Sequence, residues 1–227
     1  MNGQRVGLGG VQGPTLCRRA RLPTLLATAT TLTALAGCQM LAAPFVLFAP
    51  EPTRTLPAEY PYLAGKKVCL LVWADSYTLM EYPFVQLEVS EHAAAEMKQR
   101  IRGASFVPNR AVVDYQRQDP DWDRAHPAAI GQKFGSDRVV VIELTQYTTR
   151  EPESTYLYRG RIGANLRVYN TQYPDAGPAY RATVETLYPP DSHGQWGSSE
   201  DGLRKATMEA FARDLTGKFY DRQVKVQ

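Results

Sequence analysis

Cysteine is scarce in this 227-residue chain: Cys17, Cys38 and Cys69 are too few and too scattered for a disulfide framework or a cysteine zinc site. There are only three histidines, and neither a phosphate-binding Walker loop nor a dinucleotide fingerprint occurs outside an irrelevant Gly7-Leu8-Gly9-Gly10 near the start. Internal repeats and low-complexity tracts are also lacking, which excludes solenoids and collagen-like chains. Acidic residues are missing altogether from residues 1–37, where Arg5, Arg18, Arg19 and Arg21 supply every formal charge. Apolar residues make up 44% and charged residues 22%, the composition of an ordinary globular domain rather than a disordered or polytopic membrane chain. The net charge of +3 suggests an anionic partner only until its position is considered. Removing residues 1–37 takes four arginines and no acid, leaving 22 basic and 23 acidic residues and a net charge of −1. No nucleic-acid partner is therefore expected.

After Arg21 the chain runs uncharged from Leu22 to Gly37, an apolar segment behind a basic flank, as in a secretory signal. It ends in Leu35-Ala36-Gly37-Cys38, which resembles the bacterial lipobox, and the resemblance implies that Cys38 becomes the acylated N-terminus. Two other readings remain open. Leu22 to Pro50 is long enough for an uncleaved anchor, although Pro23, Pro44 and Pro50 suit a spanning helix poorly. An ordinary signal cleaved near Ala36 would leave Cys38 a plain thiol. With lipid on Cys38, two or more acyl chains anchor the domain stably where one would not. Gln39 lacks the Asp that retains lipoproteins at the inner membrane in enterobacterial sorting, so the expected location is the periplasmic face of the outer membrane.

Prolines 44, 50, 52, 57 and 61 forbid a continuous helix or central strand in the next stretch. The expected organisation is a signal at 1–37, a proline-rich tether at 38–65, a globular domain at 66–222 and a tail at 223–227.

Within that domain, Lys66 to Trp73 reads as a strand buried on both faces. Pro83 opens a helix to about Arg102, with Phe84, Leu87, Ala94, Met97 and Ile101 on one face, stopped by Gly103. Ala104 to Val107 forms a short strand, and Asn109 caps a short helix. A helix from Pro127 to Phe134 ends at Gly135, and the strand Arg138 to Leu144 follows. Tyr156 to Tyr169 and Ala179 to Leu187 form an antiparallel hairpin around Pro174-Asp175-Ala176-Gly177. The last helix, from Ser199 to about Tyr220, places Leu203, Thr207, Phe211, Leu215 and Phe219 at four-residue steps. The predicted fold is α/β or α+β: a single mixed sheet of about five strands packed by helices.

The run from Ala129 to Leu144, a helix followed by Gly135-Ser136-Asp137-Arg138 and an apolar strand, resembles a signature of bacterial envelope domains. That group includes the curli-secretion lipoprotein CsgG, lipoprotein activators of penicillin-binding proteins and the N-terminal domain of TolB. The usual Ala and Tyr of the signature are replaced here by Ser136 and Arg138. The resemblance implies a periplasmic interaction or assembly domain without catalysis and without cofactor, and the absence of long amphipathic hairpins argues against a pore.

Candidate chemistry is sparse. Glu88, His92 and Glu96 share a helix face but lack the second His of a zincin, and read as a solvated face. Asp119, Asp121 and Asp123 fail the calcium-loop pattern at Arg124 and Ile130. Asp191-Ser192-His193 places triad residue types side by side, where neighbours in one loop cannot align as nucleophile, base and orienter. The expectation is therefore no catalytic residues and no metal, with Cys69 a buried, inert thiol. Thirteen tyrosines and the run Tyr158-Arg159-Gly160-Arg161 nominate Tyr156, Tyr158, Arg159, Arg161 and Trp196 as an interaction surface. Its partner would be another envelope protein or a second copy. The alternatives are a small-molecule or glycan site on the aromatic hairpin and Trp196 loop, and a hydrolase using His193 or His92.

Overall fold

The computed structural model describes residues 53–150, 158–190 and 200–225. The expected signal at 1–37, Cys38, Tyr156, the Asp191-Ser192-His193 run and Trp196 lie outside the described residues. In chain order the elements are β1 (Thr53–Leu56), β2 (Lys67–Trp73), α1 (Ser76–Glu81), α2 (Val85–Arg100), β3 (Ser105–Phe106) and α3 (Asn109–Gln118). A single 3₁₀ turn (Trp122–Arg124) follows, then α4 (Pro127–Lys133), β4 (Arg138–Arg150), β5 (Tyr158–Asn170), β6 (Tyr180–Tyr188), α5 (Glu200–Thr216) and β7 (Arg222–Lys225). Five strands form one mixed sheet in the order β3-β2-β4-β5-β6. β2 runs parallel to β3 and β4, whereas β5 and β6 continue the sheet antiparallel. This is the mixed α+β architecture that the patterning predicts.

The continuous apolar run of β2 is buried on both faces because helices cover both. Val68, Leu70 and Val72 join the larger core beneath α2 and α5; Cys69 and Leu71 join a smaller cluster beneath α3 and α4. Burial pushes the Cys69 thiol up to about 12, so it carries no thiolate at neutral pH. Leu203, Thr207, Phe211 and Leu215 of α5 are buried, as their spacing predicts; the helix ends at Thr216 rather than near Tyr220, and Phe219 is buried beyond it.

The face of α2 differs from expectation. The helix begins at Val85 and buries Val85, Val89, Ala93 and Met97, with Ile101 buried at its C-cap, while Phe84 precedes it and is 59% exposed. Stepping back from Met97 by fours or by a mixture of threes and fours gives two apolar series. The strict four-residue series wins, and at 3.6 residues per turn it winds around the helix. α5 uses the same i+4 ridge, which suits ridge-into-groove packing of the two helices.

Other boundaries shift for local reasons. α1 was not legible as apolar periodicity; Asp75 creates it by accepting from the Thr78 amide (2.9 Å) and hydroxyl (2.8 Å). Asn109 is the first residue of α3 rather than its cap, a position that Pro108 takes without a side-chain bond. α4 does end at a left-handed glycine, Gly135 (φ 58°).

Residues 53–65, expected as tether, belong to the compact unit, which spans Thr53 to Lys225. β1 pairs antiparallel with β7, so residues 223–225 are strand rather than tail. The Ala58 amide donates to Asp221 (2.8 Å), the Tyr60 amide donates to the Lys218 carbonyl (3.0 Å), and Glu59 accepts from Lys218 (2.7 Å) and Tyr180 (2.6 Å). Leu63 is fully buried, and Tyr60 stacks on Tyr180 at 5.4 Å. Prolines bar this segment from the main sheet but not from pairing with the chain's other end. Leu63→Ala should lower unfolding free energy by about 2–5 kcal/mol in a urea titration. A neutral Leu63→Ala would restore the tether reading of this segment.

Candidate interaction surface

Side chains alternate across a sheet, so each strand serves two faces. On one face, Val68, Leu70, Val72, Val140, Ile142, Leu144, Ile162, Ala164, Leu166, Val168 and Val184 pack beneath α2 and α5. On the other, α3 and α4 cover β2, the first half of β4 and the end of β5, through Cys69, Leu71, Val139, Val141 and Tyr169. No described helix covers the remainder of that face, over β5 and β6.

The sequence changes character there. A bulge between Leu144 and Gln146 shifts the register of β4, after which Gln146 lies opposite Gly163 and Thr148 opposite Arg161. Gly163 is required at this point, since a Cβ would meet the Thr145 hydroxyl at 2.9 Å. Alternation then puts Arg159, Arg161, Asn165 and Arg167 of β5 on the open half, with Arg181, Thr183, Glu185 and Leu187 of β6 beside them. Arg167 donates to Glu143 at 2.6 Å, both only partly buried, and Arg159 donates to the Pro190 carbonyl at 3.2 Å. Four arginines against two glutamates make this half locally basic, although residues 38–227 taken together are not.

The structure splits the expected surface. Arg159 and Arg161 do share the open half. Tyr158 falls on the opposite parity, beside Gly160, whose missing Cβ lets Thr207 of α5 approach, and Arg150 lies 6.0 Å over its ring. The other hairpin tyrosines form no exposed platform. Tyr147 packs on Tyr82 (4.7 Å), Tyr169 on His126 (5.3 Å) and Tyr180 on Tyr60. Missed by sequence reading were Arg181, Thr183 and Glu185, for which the alternation of Tyr180–Tyr188 was the available signal.

Glu88 and Glu96 are not simply solvated: Glu88 meets Arg204 of α5 at 3.3 Å and Glu96 meets Arg100 at 3.0 Å. His92 borders a cleft with Glu96, Glu209 and Arg213, and the His126 Nδ1 accepts from the Ala128 amide (3.3 Å) as a helix cap. Among the described residues no group of three or more metal-ligating side chains converges, and no helix is long and apolar enough to cross a membrane.

A cleft of about 190 Å³ lies where α4 meets the open half, lined by Trp73, Trp122, Ile130, Val141, Glu143 and Arg167. It falls below the roughly 300–1,000 Å³ of typical ligand sites. Two hollows of about 410 Å³ lie on the sheet itself, one beside Gln146, Arg161 and Glu185 and one beside Asn165, Arg167 and Arg181. The second is lined mainly by polar groups and the first is somewhat more apolar, with Ile162 and Leu187 in its walls; both are open hollows, unlike the enclosed apolar pockets of small-molecule sites.

No protein-family model matches the chain, and no curated protein matches it. Among solved structures it is similar to the PelC dodecamer from Paraburkholderia phytofirmans, at 8% identity over 74% of this chain and 98% of that one (TM-score 0.42). It is also similar to lipoprotein GNA1162 from Neisseria meningitidis, at 14% identity over 66% and 98% of the two chains (TM-score 0.38). A minor lipoprotein from Acinetobacter baumannii shows 13% identity over 69% and 92% (TM-score 0.34).

Two carboxylates tie the sheet's flanks to its helices. Glu200 accepts from Thr149 (2.9 Å) and Arg150 (3.2 Å), and these bonds hold its carboxyl below the usual value of 4.5. Glu59 is lowered likewise, chiefly by the Lys218 bond and then by Tyr180. A lowered carboxyl contributes stability that is present above pH 4.5 and lost as pH falls through the folded value. Glu59→Gln and Glu200→Gln should therefore each reduce the drop in Tm between pH 6 and pH 3. Unchanged slopes in both variants would contradict these assignments.

Proposed function

We propose that the chain is a non-catalytic, lipid-anchored cell-envelope protein, held through acylated Cys38 at the periplasmic face of the outer membrane. Its domain binds another envelope protein or a second copy of itself. The observation that carries the reading is the uncovered half of the sheet, where Arg159, Arg161, Arg167 and Arg181 stand in a polar surface with a single exposed large apolar residue, Leu187. A surface of four arginines with open hollows rather than an enclosed cavity among the described residues suits a protein partner better than a buried small molecule. The lipobox-like Leu35-Ala36-Gly37-Cys38, the basic flank before it and the resemblance of Ala129 to Leu144 to the CsgG, penicillin-binding-protein-activator and TolB group support the same reading.

The net charge of −1 after Gly37 gives the mature chain little general attraction to anionic lipid, so membrane contact falls to the acyl chains. Intact-mass measurement of the membrane-extracted protein should give an N-terminus at Cys38 carrying acyl mass. Cys38→Ala should release the protein from the membrane fraction or leave the signal uncleaved. An unmodified Cys38 would overturn the anchoring.

A further inference from the structure

The two edges of the main sheet are built differently. At the β3 edge, pairing lasts two residues and Pro108 follows. Beyond it, the Val72 carbonyl of β2 is closed off by two side-chain amides, Gln86 of α2 (2.9 Å) and Gln116 of α3 (3.0 Å). Beyond β3, this edge is closed at Val72.

At the other edge, β6 pairs with β5 over nine consecutive residues without a bulge, and no described strand pairs with its outer side. Tyr180 to Tyr188 contains no proline and no lysine, the residues that commonly guard an exposed edge. Its exposed side chains read Arg181, Thr183, Glu185, Leu187 on one face. This order is self-complementary. In antiparallel pairing about a two-fold axis at Thr183, Arg181 of each copy lies opposite Glu185 of the other, Thr183 opposite Thr183, and Leu187 opposite the exposed Ala179. Pairing centred one residue to either side breaks both charge matches.

The helix face permits the same approach. Asp214 of α5 accepts from Thr186 of β6 (2.7 Å), and the residues four and eight before it on that helix face are Ala210 and Ala206, both partly exposed. Small residues there leave room for the neighbouring copy's helix. A continuous sheet keeps both open halves on one side, since a two-fold axis normal to the sheet preserves its faces.

We propose that two copies of this chain pair antiparallel through the outer edge of β6, with Thr183 on the two-fold axis and Arg181 facing Glu185 across it twice. The pairing rests on the interaction-domain reading above and names its partner as a second copy. Opposite charges directly across a strand pair stabilise it and like charges destabilise it, and symmetry doubles each effect.

The test uses the full-length chain in its membranes. Cα atoms directly opposite in antiparallel strands lie about 4.5–5.5 Å apart, within disulfide range. Thr183→Cys should therefore give an oxidised dimer on a non-reducing gel, while Gln99→Cys on α2 should not. In the Thr183→Cys background, Arg181→Glu or Glu185→Arg alone should cut dimer yield about five- to tenfold, and the double swap should restore it. Monomeric Thr183→Cys in the membrane fraction, or no restoration by the double swap, would overturn the pairing while leaving the anchored reading intact. Protein absent from the membrane fraction would overturn the anchoring, whatever the gel shows.

Discussion

The helical layer of α3 and α4 reaches only halfway across the sheet, and much of the molecule follows from that limit. β4 straddles the boundary. From Val139 to Ile142 it is buried on both faces and reads as a continuous apolar run. Past the bulge at Thr145 one face is uncovered, and polar residues alternate with Tyr147 and Thr149. β6 and all of β5 except its end at Tyr169 lie beyond the boundary, so they are apolar toward α2 and α5 and mostly polar or charged on the other side. A doubly covered sheet would have no use for arginines at 159, 161, 167 and 181, because an unpaired buried charge costs too much.

This boundary also explains what could be read from the sequence. β2, the first half of β4 and the four-residue series of α5 were legible because burial on one or both faces leaves unmistakable periodicities. The expected end of β4 at Leu144 marked the end of double burial rather than the end of the strand, and the bulge disguised the alternation that follows. The prolines around β1 concealed a strand whose partner is about 170 residues away, a pairing invisible to any local pattern. The tyrosines misled for a related reason: strand propensity and burial gather them as readily as recognition does. Only Arg159 and Arg161 of the described residues nominated from sequence share the exposed face.

Charge shows the same difference between sum and placement. The overall excess of positive charge belongs to residues 1–37, and the remainder of the chain is nearly balanced. That balance conceals a basic half-sheet, while other acids face helices, as Glu88 does toward Arg204, or stitch the ends together, as Glu59 does with Lys218. The pairing of β1 with β7 joins the two ends of the described unit, so Thr53 to Leu56 is packed structure rather than a free lead-in.

The central claim is that the uncovered half of the sheet is the domain's contact surface in the envelope. Photo-crosslinking in intact cells, with a photoreactive side chain at Arg161 or Thr183 and a control at Gln99 on α2, tests it most directly. The account predicts covalent protein adducts from the two sheet positions and none from α2. Adducts from α2 alone, or from no position, would contradict it.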